Sequence, residues 1–165
     1  MRGILIGFGL LFGLSSMMLP ARAEDAADRA RIVGTWKLVS VNYEDQETKA
    51  VTPIYGEHPK GYQIATPEGR WLALVTAEGR KVPQTDAERA QALRTMISYA
   101  GRYRVADGKV TTKVEVAWNE AWVGGEQTRF IRFDGDRLHI ESPPMPHPNL
   151  AGKVVRVIVT WQRDK

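Results

Sequence analysis

Short apolar segments with two-residue alternation, each ended by a tight-turn signal, recur along this chain and restrict it to a series of β-hairpins. Tyr62-Gln63-Ile64-Ala65-Thr66 runs into Pro67-Glu68-Gly69, and Arg70 to Thr76 follows. Asp107-Gly108 separates Arg102-Tyr103-Arg104-Val105 from Val110 to Trp118. Asp134-Gly135-Asp136 separates Gln127 to Phe133 from Arg137 to Ser142. Asp-Gly between such runs marks a hairpin because both residues reach positive φ at little cost. With Trp36 to Tyr43 at the front and Val154 to Arg163 at the end, the reading is eight strands. Regular hairpins in an all-β chain build a sandwich or a barrel. Sequential pairing favours an eight-stranded antiparallel up-and-down barrel, because closure removes the exposed edges.

One helix interrupts the strands. Thr85-Asp86-Ala87-Glu88 has the spacing of a capping box, and Ala90, Leu93, Met96, Ile97 and Ala100 continue as one apolar stripe. Gly101 reads as a stop, so the helix is expected at about 85–99. Alternation also assigns faces. Val110, Thr112, Val114, Val116 and Trp118 are expected inside, with Thr111, Lys113, Glu115 and Ala117 outside. On the next strand Arg129 and Arg132 fall on opposite faces, and parity alone does not choose which points inward.

The first residues read differently. Arg2, the apolar run Gly3 to Leu14 and Ala21-Arg22-Ala23 form a charged n-region, a short h-region and an A-x-A cleavage site. Such a run spans roughly 18 Å as a helix, short of a hydrocarbon core. The expected division is a signal peptide at 1–23, a lead-in at 24–31 and one domain at 32–163. Cleavage would remove Arg2 and Arg22 and no acidic residue, lowering the net charge from +4 to +2. The remaining Lys and Arg are interleaved with Asp and Glu, so no nucleic-acid footprint is expected. The chain has no Cys, which excludes disulfides, thiolate metal sites and a lipoprotein anchor. An exported periplasmic or secreted protein follows, with no stable membrane anchor after cleavage.

Gly34-Thr35-Trp36-Lys37-Leu38 opens the first strand. It resembles the Gly-x-Trp signature of lipocalins and fatty-acid-binding proteins. Further blocks are similar to those of the bacterial lipocalin-like domain family: Tyr62 with Thr66-Pro67-Glu68-Gly69, Tyr99-Ala100-Gly101-Arg102-Tyr103, Trp122-Val123-Gly124-Gly125-Glu126-Gln127-Thr128-Arg129, and Asp134-Gly135-Asp136-Arg137-Leu138. The resemblance runs from about Ile32 to Arg163. Fatty-acid-binding proteins fit less well, since they insert two helices after the first strand. The resemblance implies a barrel, a small-molecule pocket, and an Arg packed on Trp36, with Arg163 the first candidate and Arg156 the second. The family often carries a His where this chain has Lys113, so no role of that His is transferred.

The chain holds five Trp and five Tyr against four Phe. Such rings combine apolar area with a polar tip. Tyr62, Trp71, Tyr103 and Trp118 on strands, and Trp122 beside Gly124-Gly125, are the candidate ligand-binding aromatics. Arg129 is the candidate inward charge, to be satisfied by a ligand carboxylate or by Glu115. Gly34, Trp36 and Arg163 are structural candidates. The loops at 53–61 and 143–153 are the expected mouth. His58, His139 and His147 show no H-x-H or H-E-x-x-H spacing, so no metal or other cofactor is expected. No G-x-S-x-G elbow is present around Ser40, Ser98 or Ser142, and no catalytic residue is assigned.

The expected function is binding of a small hydrophobic or amphipathic molecule in the barrel cup. Two alternatives remain open. One is an isomerase, cyclase or hydrolase in the same barrel, drawing acid–base chemistry from Tyr62, Glu115 and His139. The other is a structural envelope protein whose barrel is filled by its own side chains.

Overall fold

The computed structural model describes residues 20–146 and 152–164. The hairpin signals become one antiparallel meander that closes on itself. Helix α1 (Pro20–Ile32) leads into β1 (Gly34–Asp45), followed by a short β2 (Val51–Pro53), β3 (Lys60–Ala65) and β4 (Arg70–Thr76). After α2 (Asp86–Arg94) come β5 (Met96–Ala106), β6 (Lys109–Ala117), β7 (Glu126–Asp134), β8 (Arg137–Glu141), a two-residue β9 (Met145–Pro146) and β10 (Val154–Arg163). Neighbours in sequence pair in space from β3 to β8, and β8 pairs with β10. Closure comes from β1 against β10, paired from Trp36↔Arg163 to Asp45↔Val155 with a bulge at Val39, between Leu38↔Trp161 and Ser40↔Thr160. Eight strands form the closed barrel, while β2 and β9 extend its open end as short partners of β1 and β10. β1 serves two neighbours in turn, pairing β3 through Gly34–Lys37 and β2 through Asn42–Glu44.

The end where β1 begins and β10 finishes is sealed by stacked side chains. Trp36 is buried, and its indole N–H donates to the Ile32 carbonyl at 2.8 Å. The Arg163 guanidinium lies 4.1 Å above the Trp36 ring, while Arg31 lies 4.1 Å above Phe133. Arg163 also donates to the carbonyls of Val33 and Arg31. One cation thus fastens the last strand to the segment that enters the first. Arg156 has a different place: on the outer wall it pairs with Glu44 at 2.8 Å and Glu141 at 2.9 Å.

The structure corrects two local expectations. α2 has its capping box, with Thr85 Oγ1 accepting from Glu88 N and Glu88 Oε2 accepting from Thr85 N. The helix ends at Arg94 rather than near 99, and none of its residues is buried. Met96, Ile97 and Ala100 leave the expected stripe for β5, where Ile97 pairs with Val75 and Ala100 with Leu72. Pairing to β4 buries more of their apolar surface than a lone exposed helix could. The second correction concerns β6. Val110, Thr112 and Val114 are buried as expected, but Val116 is 60% exposed. Ala100 pairs with Val116 while Gly101 pairs with Val114, so Glu115 is the extra residue of a β-bulge. A bulge inverts the alternation beyond it. Gly101 makes this possible: a Cβ there would lie 1.9 Å from the Lys113 carbonyl oxygen.

Candidate functional site

Above the Trp36 seal, the inward side chains of six strands do not meet in the middle. They surround a cavity of about 270 Å³. β4 contributes Trp71, Ala73 and Val75, the buried half of its strict alternation. β10 contributes Val157, Val159 and Trp161, and β5 contributes Ile97 and Tyr99. Val41 of β1, Ile140 of β8 and Arg129 of β7 complete the wall. Met145 of β9 and Trp122 of the β6–β7 connection stand at the end opposite the seal.

Of the six side chains proposed from sequence, three meet in this cavity: Trp71, Trp122 and Arg129. Trp122 is held edge-on between Tyr99, with centroids 5.6 Å apart, and Trp118, at 4.7 Å. Trp118 therefore buttresses the wall from behind. Tyr103 packs 5.7 Å from Trp71 and donates its hydroxyl to the Thr66 carbonyl at 3.0 Å, again as support. Tyr62 is 45% exposed on the outer face of β3, because Gln63 and Ala65 take the inward positions. Of the expected mouth, Met145 lines the cavity and Ile54 and Tyr55 pack against the core, while His147 lies outside the described residues.

β7 resolves the choice between its two arginines. Arg129 lines the cavity; Arg132 is on the outer wall, 3.7 Å from Glu141. Arg129 donates to Gln127 Oε1 at 2.7 Å and to the Thr128 carbonyl at 2.8 Å. Glu115 does not serve it, because that carboxylate is outside, 2.5 Å from Arg70 and 3.8 Å from Arg102. Among the described residues no carboxylate forms an ion pair with Arg129. Burial pulls its guanidinium below the ordinary pKa, with Tyr99 opposing. Burial likewise raises the Tyr99 phenol, against the pull of Arg129 and Trp71.

Sequence reasoning missed Tyr99 and Trp161. Tyr99 falls within the helix expected at 85–99 but lies in β5. Trp161 was legible in principle, since Val155, Val157, Val159 and Trp161 repeat at the period of a strand with one buried face. The acid–base trio of Tyr62, Glu115 and His139 does not converge. His139 bonds Thr160 at 3.1 Å, and none of the three lines the cavity. Among the described residues no group of three or more potential metal-ligating side chains is present. Lys113 donates to the Gly124 carbonyl.

A family model described as a lipocalin-like domain matches residues 33–164. A 4'-hydroxy-3'-methoxypropiophenone carrier protein of Aspergillus oryzae (strain ATCC 42149 / RIB 40) is 31% identical over 88 residues, spanning 48% of this chain and 77% of that protein. Among solved structures, a lipocalin-like protein from Bacteroides uniformis ATCC 8492 aligns at 10% identity with a TM-score of 0.46, covering 81% of this chain and 99% of that one. An uncharacterized protein from Bacteroides eggerthii DSM 20697 aligns at 14% identity with a TM-score of 0.43, covering 79% and 98%.

Proposed function

The chain belongs to the lipocalin-like domain family, and from that membership we propose that it is a carrier holding a small, largely apolar aromatic molecule in its barrel. The observation that carries this reading is the cavity itself. Its 270 Å³ are walled chiefly by aliphatic and aromatic side chains, including Trp71, Tyr99, Trp122 and Trp161. At the roughly 30 Å³ a water occupies in the liquid, that space equals about nine waters. It suits a molecule on the order of a dozen non-hydrogen atoms and falls just under the usual range for larger ligands. The Aspergillus relative, named as carrier of an aryl ketone, supports an aromatic occupant of this size. The cavity weighs against a self-filled barrel, and the scattered positions of Tyr62, Glu115 and His139 weigh against the barrel enzyme.

Titrating intrinsic Trp fluorescence with aryl ketones, fatty acids and retinoids tests the reading, since three of the five Trp residues line the cavity. Aryl ketones should give a saturable change and retinoids, which are too large, little or none. Silence across all three classes would exclude a carrier of this kind.

Export belongs to the same proposal. Cleavage after Ala23 would trim the first turn of α1 and leave Arg29, which donates to the Pro67 carbonyl at 3.1 Å, together with Arg31 and Ile32. Mass spectrometry of the protein recovered from its native host should find Glu24 at the N-terminus. Recovery of Met1 in the exported fraction would exclude it.

A further inference from the structure

The hydrogen-bonding capacity left unspent inside the barrel is nearly all on the donor side. The Trp161 indole N–H is buried with no acceptor within reach. The Trp71 indole N–H is buried without a completed hydrogen bond, with the Tyr99 phenol beside it. Arg129 uses two N–H groups on Gln127 and Thr128, and a guanidinium carries five. Among the described residues, Ser142 and the nearby glutamates are committed elsewhere, while the Tyr99 phenol oxygen lines the cavity by Arg129 and Trp71. Ser142 Oγ donates to the Pro143 carbonyl at 2.9 Å and accepts from Val157 N at 3.0 Å. Glu126 at the start of β7 and Glu141 at the end of β8 pair on the outer wall with Arg104 and with Arg132 and Arg156. Gln63, fully buried with both amide atoms unpaired, offers one acceptor but adds two more donors.

A cation facing an apolar cavity without a counter-ion is costly to keep. The arrangement makes sense if the counter-ion arrives with the ligand. We propose that the occupant is a small aromatic monoacid, its carboxylate on Arg129 and its ring between Trp71 and Trp122. Both carboxylate oxygens can take guanidinium N–H groups side by side, and such a charge-assisted pair strengthens in a dry site. This inference rests on the carrier reading, and it adds the charge of the ligand.

A matched pair of ligands separates the two. Cinnamate and cinnamamide have the same planar body and differ in charge. Each is titrated by calorimetry and by displacement of the uncharged dye 1-aminoanthracene, using wild type, Arg129→Met and Arg129→Lys, with folding of each variant checked by circular dichroism. The wild type should bind cinnamate at least tenfold more tightly than cinnamamide. The ratio should collapse toward one in Arg129→Met and stay above one in Arg129→Lys. Equal binding of both ligands by the wild type, with the dye still bound, would overturn the charged occupant and leave the carrier standing. Failure of dye and both ligands to bind would overturn both. Should Arg129→Met not fold, the wild-type ratio and Arg129→Lys decide alone.

Discussion

At Gly34 the backbone takes φ +131°, and a Cβ there would stand 2.7 Å from Nη1 of Arg163. Both facts follow from the way the Arg163 guanidinium crosses the chain to reach the Trp36 ring. Gly34→Ala therefore meets two costs, an unfavourable backbone conformation worth about 1–3 kcal/mol and a displaced cation. Urea unfolding should register a loss of about 2 kcal/mol, and a change under about 0.5 kcal/mol would mean that the Arg163 contact is not what requires glycine. Asp45 is a second residue with a defined role. Its carboxylate accepts from the backbone N–H groups of Thr48 and Glu47, at 3.0 and 2.9 Å, with Lys153 alongside. Those bonds hold its pKa down to about 2. A carboxyl lowered in the folded state adds stability above its unfolded pKa, near 3.9, and loses it as pH falls through the folded value. The gap in urea midpoint between wild type and Asp45→Asn should hold from pH 7 to about 4 and close toward pH 2. A gap independent of pH would assign the effect to something other than ionisation. The Gly-x-Trp pair was readable because it is local; the Asp45 turn was not read, since a lone Asp after a strand signals little until its partners are known.

Among the elements, α2 and β5 show how one periodicity can be claimed twice. Ala90, Leu93, Met96 and Ile97 fit a helical stripe, yet Leu93 is 52% exposed, and Met96 and Ile97 pair with β4. Apolar spacing names the surface to be buried without naming the partner, and the sheet wins because it supplies one. α2 is thus held by its cap more than by packing. Thr85→Ala should cost the helix about 1 kcal/mol locally. Hydrogen exchange at residues 86–94 should speed roughly fivefold while the global urea midpoint stays put; a matching global loss would show that α2 folds with the barrel. The β5–β6 bulge behaves oppositely. Gly101→Ala would drive a methyl into the Lys113 carbonyl, so the two strands must separate or shift register. Overpacking of this kind costs about 1–3 kcal/mol or more, and here it should lower the midpoint of the whole domain. Strand alternation read Val110, Thr112 and Val114 correctly, did not foresee that Thr111 is buried as well, and failed at Val116 because a bulge leaves no mark on the period before it.

At the scale of the whole molecule, the barrel is sealed at one end by Trp36, Phe133 and two arginines and left unfilled above them. Closure was legible from the order of the hairpins. The vacant interior was not, because small and large inward residues read alike in a pattern of alternation, and volume appears only when opposite walls are placed. Ala73 is where this can be decided. It is 5% exposed, lies between Gln63 of β3 and Tyr99 of β5, and turns its methyl into the cavity. If the space is kept open for a ligand, filling it should trade binding for stability. Ala73→Leu buries about three more carbons, worth on the order of 2 kcal/mol at roughly 0.8 per methylene, less about 1 kcal/mol for imperfect fit. A net gain of about 1 kcal/mol should raise the thermal midpoint by about 2–4 °C in a domain this size. The same variant should lose the saturable fluorescence response to aryl ketones. A lowered midpoint would mean that Tyr99 and Gln63 already close on that methyl. A raised midpoint with binding intact would place the ligand elsewhere in the barrel, away from β4.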